Sequence, residues 1–535
     1  MKLKGNLVNV FTEDIYPVEI SFESVITSIR PVSQEQKSYL LPGFIDAHIH
    51  VESSMVCPSR FAEAVIPHGT TCTISDPHEI ANILGIEGIV YMIKDSQVLK
   101  IFYTAPSCVP ATPFETSGAL LSAETIEHLF QTYPLIGLGE VMNFPGVVAG
   151  DPDLLEKISV ARRYEKPIDG HAPGLTGIPL QKYCSMGILT DHECTRREEA
   201  QEKQELGMQI MIREGTASKN FKELLGVKYD RCFLVSDDLH PEDIRKGHVD
   251  ILLQKAISHG IDPVTAVKMV TLNPAHHYRL SAGALAPGRP ADITIVESLK
   301  GFEVQDVYID GVHVAHEGVP LFSPEPISLN APFRVKKKSP SDFAITSSSS
   351  DQVAVRVIQV IEGSLYTGSE TATLTCEHGS VQPDPEQDVL KLSVVERYGT
   401  ETVGTGFVRG FGIYRGALAS SVSHDSHNII AVGSCDALVA KAVNTVIDMK
   451  GGIATCGEET TALELPVAGL MSTQHIDTVA ETHHQVQQKA WDMGCTLEDP
   501  FMQLSFLALL VIPELKLSNK GLFDSQAFQF VDVII

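Results

Sequence analysis

Five side chains of this sequence stand where metal ions would be held, and a sixth stands where two ions would share a ligand. His48 and His50 lie two residues apart in LPGFIDAHIH. The two-residue period of a strand puts both rings on one face, where a pair can chelate one ion. His171 follows IDG, His192 follows LTD and Asp237 follows LVS, each at the end of an apolar run. Glu140 closes LIGLG in the same way, and a carboxylate set between two ions spreads its charge over both. Mixed imidazole and carboxylate ligation suits zinc, manganese or iron better than soft Cu(I). A pair of such ions lowers the pKa of water enough to supply hydroxide near pH 7 and polarises a substrate atom, so hydrolysis or deamination is the implied chemistry.

These groups need elements that bring them to one place. Eight apolar runs, LPGFIDAHIH, TTCTISDPHE, IFYTAPSCV, LIGLGEVMN, KPIDGHAPG, GILTDHECT, MQIMIREGT and RCFLVSDDL, each end in polar residues and lead into a helical segment. That is the pattern of βα units on a parallel sheet. Eight in succession suggest an α/β chain closed into a (β/α)8, TIM-like barrel over residues 41–280, whose strand C-termini surround one mouth. Before residue 40, LVNVF, VEISF and VITSI alternate apolar and polar, and after 281 ADITIV and FEVQDVYIDGVHVAHEG do the same. Residues 1–40 and 281–330 are therefore expected to form one small β-sandwich into which the barrel is inserted. The Lys, Pro and Ser content of PFRVKKKSPSDFAITSSSSDQ marks a linker over 331–352. A C-terminal α/β or α+β domain then occupies 353–535, with strands in DQVAVRVIQVI, LKLSVVERY and HNIIAVG and helices in CDALVAKAVNTVIDM and PFMQLSFLALLVI.

Composition removes several classes of function. Lys and Arg number 41 against 67 Asp and Glu, a net charge of −26, so the surface does not attract nucleic acid or anionic membranes. The 10 cysteines are scattered without a CxxC pair, which excludes a disulfide framework and a zinc ribbon. The N-terminus lacks the apolar stretch of a signal peptide, and no apolar run approaches 18 residues, so a cytoplasmic location is expected. A homo-oligomer, with a dimer the commonest form, is the base expectation for such an enzyme.

The motifs LPGFIDAHIHVESSM, SDPHEIANILG, GLGEVMNFPGV, DGHAPGL, LTDHE and FLVSDD, together with VRGFGIYRGALASSVSHDSHNIIAVG near the C-terminus, resemble the amidohydrolase superfamily and, within it, the adenine deaminases of bacteria. The resemblance spans nearly the whole chain. It implies that His48 and His50 with Asp237 hold one metal, that His171 and His192 hold the other, and that Glu140 bridges them where many superfamily members carry a carboxylated lysine. It also implies a urease-like form for the flanking sandwich, and two divalent ions, manganese or iron, with zinc as a third candidate. The substrate it implies is the purine base adenine, converted to hypoxanthine and ammonia in purine salvage or adenine catabolism.

Deamination of a purine needs hydroxide at C6, a proton on a ring nitrogen and a proton on the leaving amine. Glu140, Asp237 and Asp238 are the candidate catalytic carboxylates. Asp237 is assigned to metal with proton shuttling as a second duty, and Asp238 either to supporting a metal ligand or to substrate contact, an order that can also be reversed. Glu52, two residues past His50, either pairs with a purine N–H or caps a loop. His78 and Glu79 in SDPHE are further candidates for substrate contact. His424, Asp425 and His427 in SSVSHDSHN lie outside the barrel run. They form either a polar turn or a loop that covers the barrel mouth and contributes to binding or to a further metal. The HxE of His50 and Glu52 lacks the PCxxC that a cytidine-deaminase zinc site needs. Two alternatives use the same features: a cyclic amide hydrolase of the dihydroorotase or hydantoinase kind, and a non-catalytic barrel scaffold.

Overall fold

The eight apolar runs fold as eight short strands: β1 (Phe44–Ile49), β2 (Thr70–Ser75), β3 (Lys100–Tyr103), β4 (Leu138–Val141), β5 (Ile168–Gly170), β6 (Thr190–Asp191), β7 (Gln209–Arg213) and β8 (Cys232–Val235). The computed structural model describes every residue except Glu35, Asn330, Ser349 and Ser350. Strands β1 to β3, β4 with β5, and β6 to β8 pair in parallel. Further links run between these groups. Ala105 and Leu138 form a parallel bridge, Leu189 N–H donates to Ile168 C=O at 3.5 Å, and Ile49 bridges Asp237, which returns the eighth strand to the first.

Strands buried on both faces need apolar residues at successive positions, which is why these runs read as continuous. Ile45, Ala47, Cys72, Ile74, Met211, Phe233 and Val235 form one core. Phe44, Ile210, Ile212, Cys232 and Leu234, their immediate neighbours in sequence, belong to another core with Val249, Leu252, Leu253 and Ala256 of the helix Val249–Ser258. The alternation of the pleat divides the two sets. The register shifts once at the start of β1, where Phe44 pairs with Thr70 but Ile45 with Cys72, and twice more toward the polar ends. On β1, Asp46 pairs with Thr73 but Ile49 with Ser75, and on β4, Leu138 pairs with Ile168 but Val141 with Gly170. Each slip inserts one extra residue, and such bulges re-aim side chains.

The strands flanking these units form one sheet. Its order is Val319–Pro320, Val312–His316, Val304–Ile309, Ile293–Val296, Tyr39–Pro42, Lys2–Val8, Ile15–Phe22 and Ile26–Pro31. All neighbours are antiparallel except Lys2–Val8 with Tyr39–Pro42. N-terminal and later segments thus share one ladder, as their common pattern suggests. Leu7 and Leu40 pack with Val18, Ile20, Phe22 and Ile293 on one side, while the next residues, Val8 and Leu41, pack with the helix-side core.

The chain divides into two compact units. The first comprises Met1–Pro77, Val90–Ser107 and Ser122–Ile327, and the second His78–Ile89, Cys108–Leu121 and Ser328–Ile535. Two segments assigned from the sequence to the barrel, those after β2 and β3, therefore cluster with the C-terminal part. Hydrogen bonds inside the second unit explain this. Asn428 Nδ2 donates to Thr116 C=O at 2.8 Å, Ser426 Oγ to Glu115 at 2.7 Å, and Ser518 Oγ to Phe114 C=O at 2.9 Å.

The second unit is built on a nine-stranded sheet running from Ser380–Val381 at one edge, through Leu390–Val395 and Ile429–Gly433, to Thr460–Glu464 at the other. The helix Asp436–Met449 covers it, with Val439, Ala442, Val443 and Val446 against Ala417, Ala419, Ile429, Ala431 and Ala454. Of the expected helix PFMQLSFLALLVI, only Pro500–Ser505 is α-helical, followed by a 3₁₀ turn at Phe506–Ala508. Residues 331–352 are not a free linker. Lys338 N–H donates to Asn444 Oδ1 at 2.8 Å and a 3₁₀ turn over Pro340–Phe343 buries Phe343 in the core under the helix. Lys336, Lys337, Ser339, Ser341 and Asp342 are exposed around that anchor, whereas Lys338 is buried. The last two residues of its serine run, Ser349 and Ser350, lie outside the described residues. All ten cysteines are free. Among the described residues no helix is long and apolar enough to cross a membrane.

Because Phe343 is fully buried, Phe343→Ala is expected to cost about 3–5 kcal/mol, measured by urea unfolding of the whole chain. A cost below about 1 kcal/mol, the range of a surface change, would return the segment to the status of a linker.

Candidate metal centre

The polar ends of β1, β4 and β8, with the residues just past β5 and β6, converge in the first unit. The bulge in β1 separates Asp46 from the two histidines that share its parity. Asp46 accepts from Ser236 Oγ and lies 3.0 Å from His248 Nε2, whereas His48 and His50 turn to one another with ring centroids 4.9 Å apart. Both Nε2 atoms lie 3.4 Å from Asp237 Oδ1. His50 Nδ1 faces Asp76 C=O at 3.0 Å. That contact favours the proton on Nδ1 and turns Nε2 toward Glu140 and Asp237.

Glu140, displaced by the bulge of β4, divides its two oxygens. Oε1 lies 3.1 Å from His50 Nε2 and 3.9 Å from His48 Nε2. Oε2 lies 2.8 Å from His171 Nδ1 and 3.4 Å from His192 Nε2. Each oxygen thus serves one pair of histidines. The carboxylate is oriented from behind, because its backbone N–H donates to Asp76 Oδ2 at 2.9 Å. Gly139 makes that approach possible. A Cβ there would meet Asp76 Oδ2 at 2.2 Å.

Every one of these side chains is buried, with exposures of 2–5%. Burial alone pushes Glu140 up, but His192, His171 and His50 outweigh it and hold the carboxyl well below its usual range. Asp237 is likewise pushed up by burial and carried well below by the Arg213 guanidinium and the two β1 histidines. Burial lowers His192, and His48 stacked on it at 4.1 Å lowers it further, so its ring is neutral, the form that binds metal. Burial also pulls on His171, but Glu193 and Glu140 raise it to about 9.

The donor set fits divalent ions. Ligand atoms of His48, Glu140 and His192 lie within 4.8 Å of one another, as do those of His48, His50 and Asp237, and those of His171, His192 and Glu193. His48 Nε2 is buried with no hydrogen-bond partner. Glu140, Asp237 and Glu193 set three carboxylates against one guanidinium, and such an excess of buried negative charge calls for cations.

All six residues expected as ligands are thus brought together. Asp238 is not in that cluster; its Oδ1 accepts from Ser53 Oγ at 2.5 Å. Glu52 is buried in the 3₁₀ turn Val51–Ser54. His78 and Glu79 belong to the second unit, where the structure joins them to His424, Asp425 and His427. Glu79 Oε1 lies 2.5 Å from His424 Nδ1 and 3.3 Å from His78 Nε2, and Oε2 contacts His427 Nε2. Asp425 Oδ1 is 3.8 Å from His78 Nε2. Burial raises Glu79, and His424, His427 and His78 together hold it well below the usual carboxylate range. The loop at 424–427 is therefore a buried polar cluster and not a solvated turn. Four residues of the first-unit site escaped the sequence reading: Asp76, Glu193, Arg213 and Lys203. Lys203 donates to Asp191, Glu199 and the carbonyl of Ala172, tying together the segments that carry His171 and His192. The signal for Asp76, Glu193 and Arg213 was the strand-end position itself, which they share with the ligands.

An amidohydrolase family model matches residues 39–314, and a model of the adenine deaminase C-terminal domain matches residues 364–529. Full-length relatives carry the name adenine deaminase. One from Methanosphaera stadtmanae is 46% identical, covering 100% of this chain and 99% of that protein. Another from Methanothermobacter thermautotrophicus is 47% identical, with 99% of each covered, and one from Salinibacter ruber is 45% identical, with 99% and 98% covered.

Since Gly139 admits the Asp76 carboxylate, Gly139→Ala is expected to displace the group that orients Glu140. Metal affinity should fall about 10–100-fold with far-UV circular dichroism unchanged, as read by metal titration of the chelator-stripped protein. Wild-type affinity in the variant would remove Asp76 from this role.

Proposed function

Because this chain belongs to the amidohydrolase family, and along its whole length to the adenine deaminases within it, we propose that it is an enzyme that hydrolyses adenine to hypoxanthine and ammonia. The observation that carries the reading is the division of Glu140, one oxygen toward His48 and His50 and the other toward His171 and His192. In this reading the ring of eight strands is a (β/α)8 barrel, the flanking sheet is a urease-like element, and the strand ends hold two divalent ions. His48, His50 and Asp237 would hold one ion, His171 and His192 the other, and Glu140 would be shared between them. Manganese or iron is the natural occupant of such nitrogen and oxygen donors, with zinc the third candidate. Two ions bound there would make hydroxide available near neutral pH and polarise the ring carbon that it attacks.

The rest of the work falls to side chains. Attack at C6 forms a C–O bond, and the collapse that follows breaks the C6–N bond. One water supplies the oxygen, and its protons end on the purine ring and on the departing ammonia. Asp237 lies beside the histidine pair and carries protons between water and the leaving amine. Asp238, held by Ser53, contacts the substrate, as does Glu52. His78, Glu79, His424 and His427 form a second polar group for binding. The fully buried, hydrogen-bonded state of Glu79 supports that role, since such a cluster is rigid.

A cyclic amide hydrolase would use nearly the same donors, and the full-length relatives favour the purine. The deciding experiment is ammonia release from adenine by Mn²⁺-loaded protein, beside adenosine, cytosine and dihydroorotate. We expect release from adenine and its loss, by at least about 10²-fold, in Glu140→Gln. Turnover of dihydroorotate in place of adenine would discard the purine. A His424→Ala, His427→Ala double variant should bind two ions as wild type does but lose adenine turnover; unaltered turnover would release the second cluster from substrate binding.

A further inference from the structure

Arg213 ends β7 and is 4% exposed, a cation buried beside residues that would hold cations. Its Nη1 donates to Glu193 Oε1 at 2.5 Å and to Asp237 Oδ2 at 2.6 Å, and its Nη2 donates to Glu193 Oε2 at 2.8 Å. Both oxygens of Glu193 are therefore engaged, and Asp237 keeps Oδ1 for the β1 histidines. Yet Glu193 is placed as a rival ligand. Its Oε1 lies 3.7 Å from His171 Nδ1 and 3.5 Å from His192 Nε2.

We propose that Arg213 is a positioning residue that withholds Glu193 from the metal ions and presents Asp237 to them through Oδ1 alone. The inference rests on the ligand reading above and deepens it, because it states which of two adjacent carboxylates the site uses. A planar guanidinium with a permanent charge suits the task. It spans three oxygens in fixed directions, which an ammonium does not. The clamp is itself held in place. Arg213 N–H donates to Asn220 Oδ1 at 2.9 Å, and Asn220 Nδ2 donates to the carbonyls of His192 and Cys194 at 2.9 and 3.1 Å. The guanidinium is thereby tied to the segment that carries both His192 and Glu193. Asp237 has φ near 60°, a left-handed conformation that a non-glycine residue keeps where its surroundings determine it. Its N–H donates to His48 C=O at 3.0 Å and its Oδ2 is held by Arg213.

The test is Mn²⁺ binding to chelator-stripped protein by equilibrium dialysis, with thermal unfolding of each apo form alongside. Wild type, Arg213→Met, Arg213→Lys and Glu193→Gln are compared. We expect two ions per chain in wild type and the same number and affinity in Glu193→Gln, whose amide oxygen still accepts from Arg213. Arg213→Met should weaken binding about 10–100-fold, and Arg213→Lys should restore only part of it. Loss of one ion in Glu193→Gln would make Glu193 a ligand and overturn the inference, as would undiminished binding in Arg213→Met. A wild type that takes up no Mn²⁺ would instead overturn the ligand reading on which the inference stands.

Discussion

A carboxylate taken out of water stays ionised only where positive charge or hydrogen-bond donors meet both of its oxygens. Glu140, 3% exposed, is such a carboxylate, and much of the first unit can be understood as the means of satisfying it. Two histidine pairs approach from strands on either side, Asp76 holds the backbone behind it, and a glycine leaves room for Asp76. The strands supply rigidity because their flanking residues are locked in two cores. The bulges supply aim. Without the extra residue in β1, His48 would share the direction of Asp46, which is committed to Ser236 and His248.

The neighbouring charges obey the same constraint. Glu193 and Asp237 share Arg213, and Asp191 and Glu199 share Lys203. One buried cation in each case balances two buried anions. Because an arginine is charged at any accessible pH and a buried lysine gains its charge from such neighbours, these pairs are fixed parts of the scaffold. Around Glu140, by contrast, the excess of negative charge remains open to ions.

Much of this was legible in the sequence. The eight apolar runs correspond to eight strands, and the rule that chemistry sits at strand C-termini located His48, His50, Glu140, His171, His192 and Asp237. The same rule passed over Arg213 because a cation is not expected among metal ligands, and over Glu193 because His192 beside it already explained LTDHE. Bulges are invisible to a period-two reading, since one extra residue changes nothing in composition. The division into two units was equally hidden. Segments 108–121 and 331–348 carry turn residues and charge, and what anchors them is a handful of hydrogen bonds and one phenylalanine, with no periodicity to announce them.

The second unit draws its pieces from distant parts of the chain, and this bears on the order in which the protein is made. Glu79 precedes His424 by 345 residues. At roughly 5–20 residues per second of synthesis, it emerges on the order of 20–70 s before its imidazole partners. For most of that interval the sheet that its segment will join, whose first strand is Gln352–Val360, has not been made. Until His424 and His427 are made, the Glu79 carboxylate has water in place of their imidazoles. A group that ends 2% exposed against His424 and His427 thus begins as an ordinary solvated carboxylate.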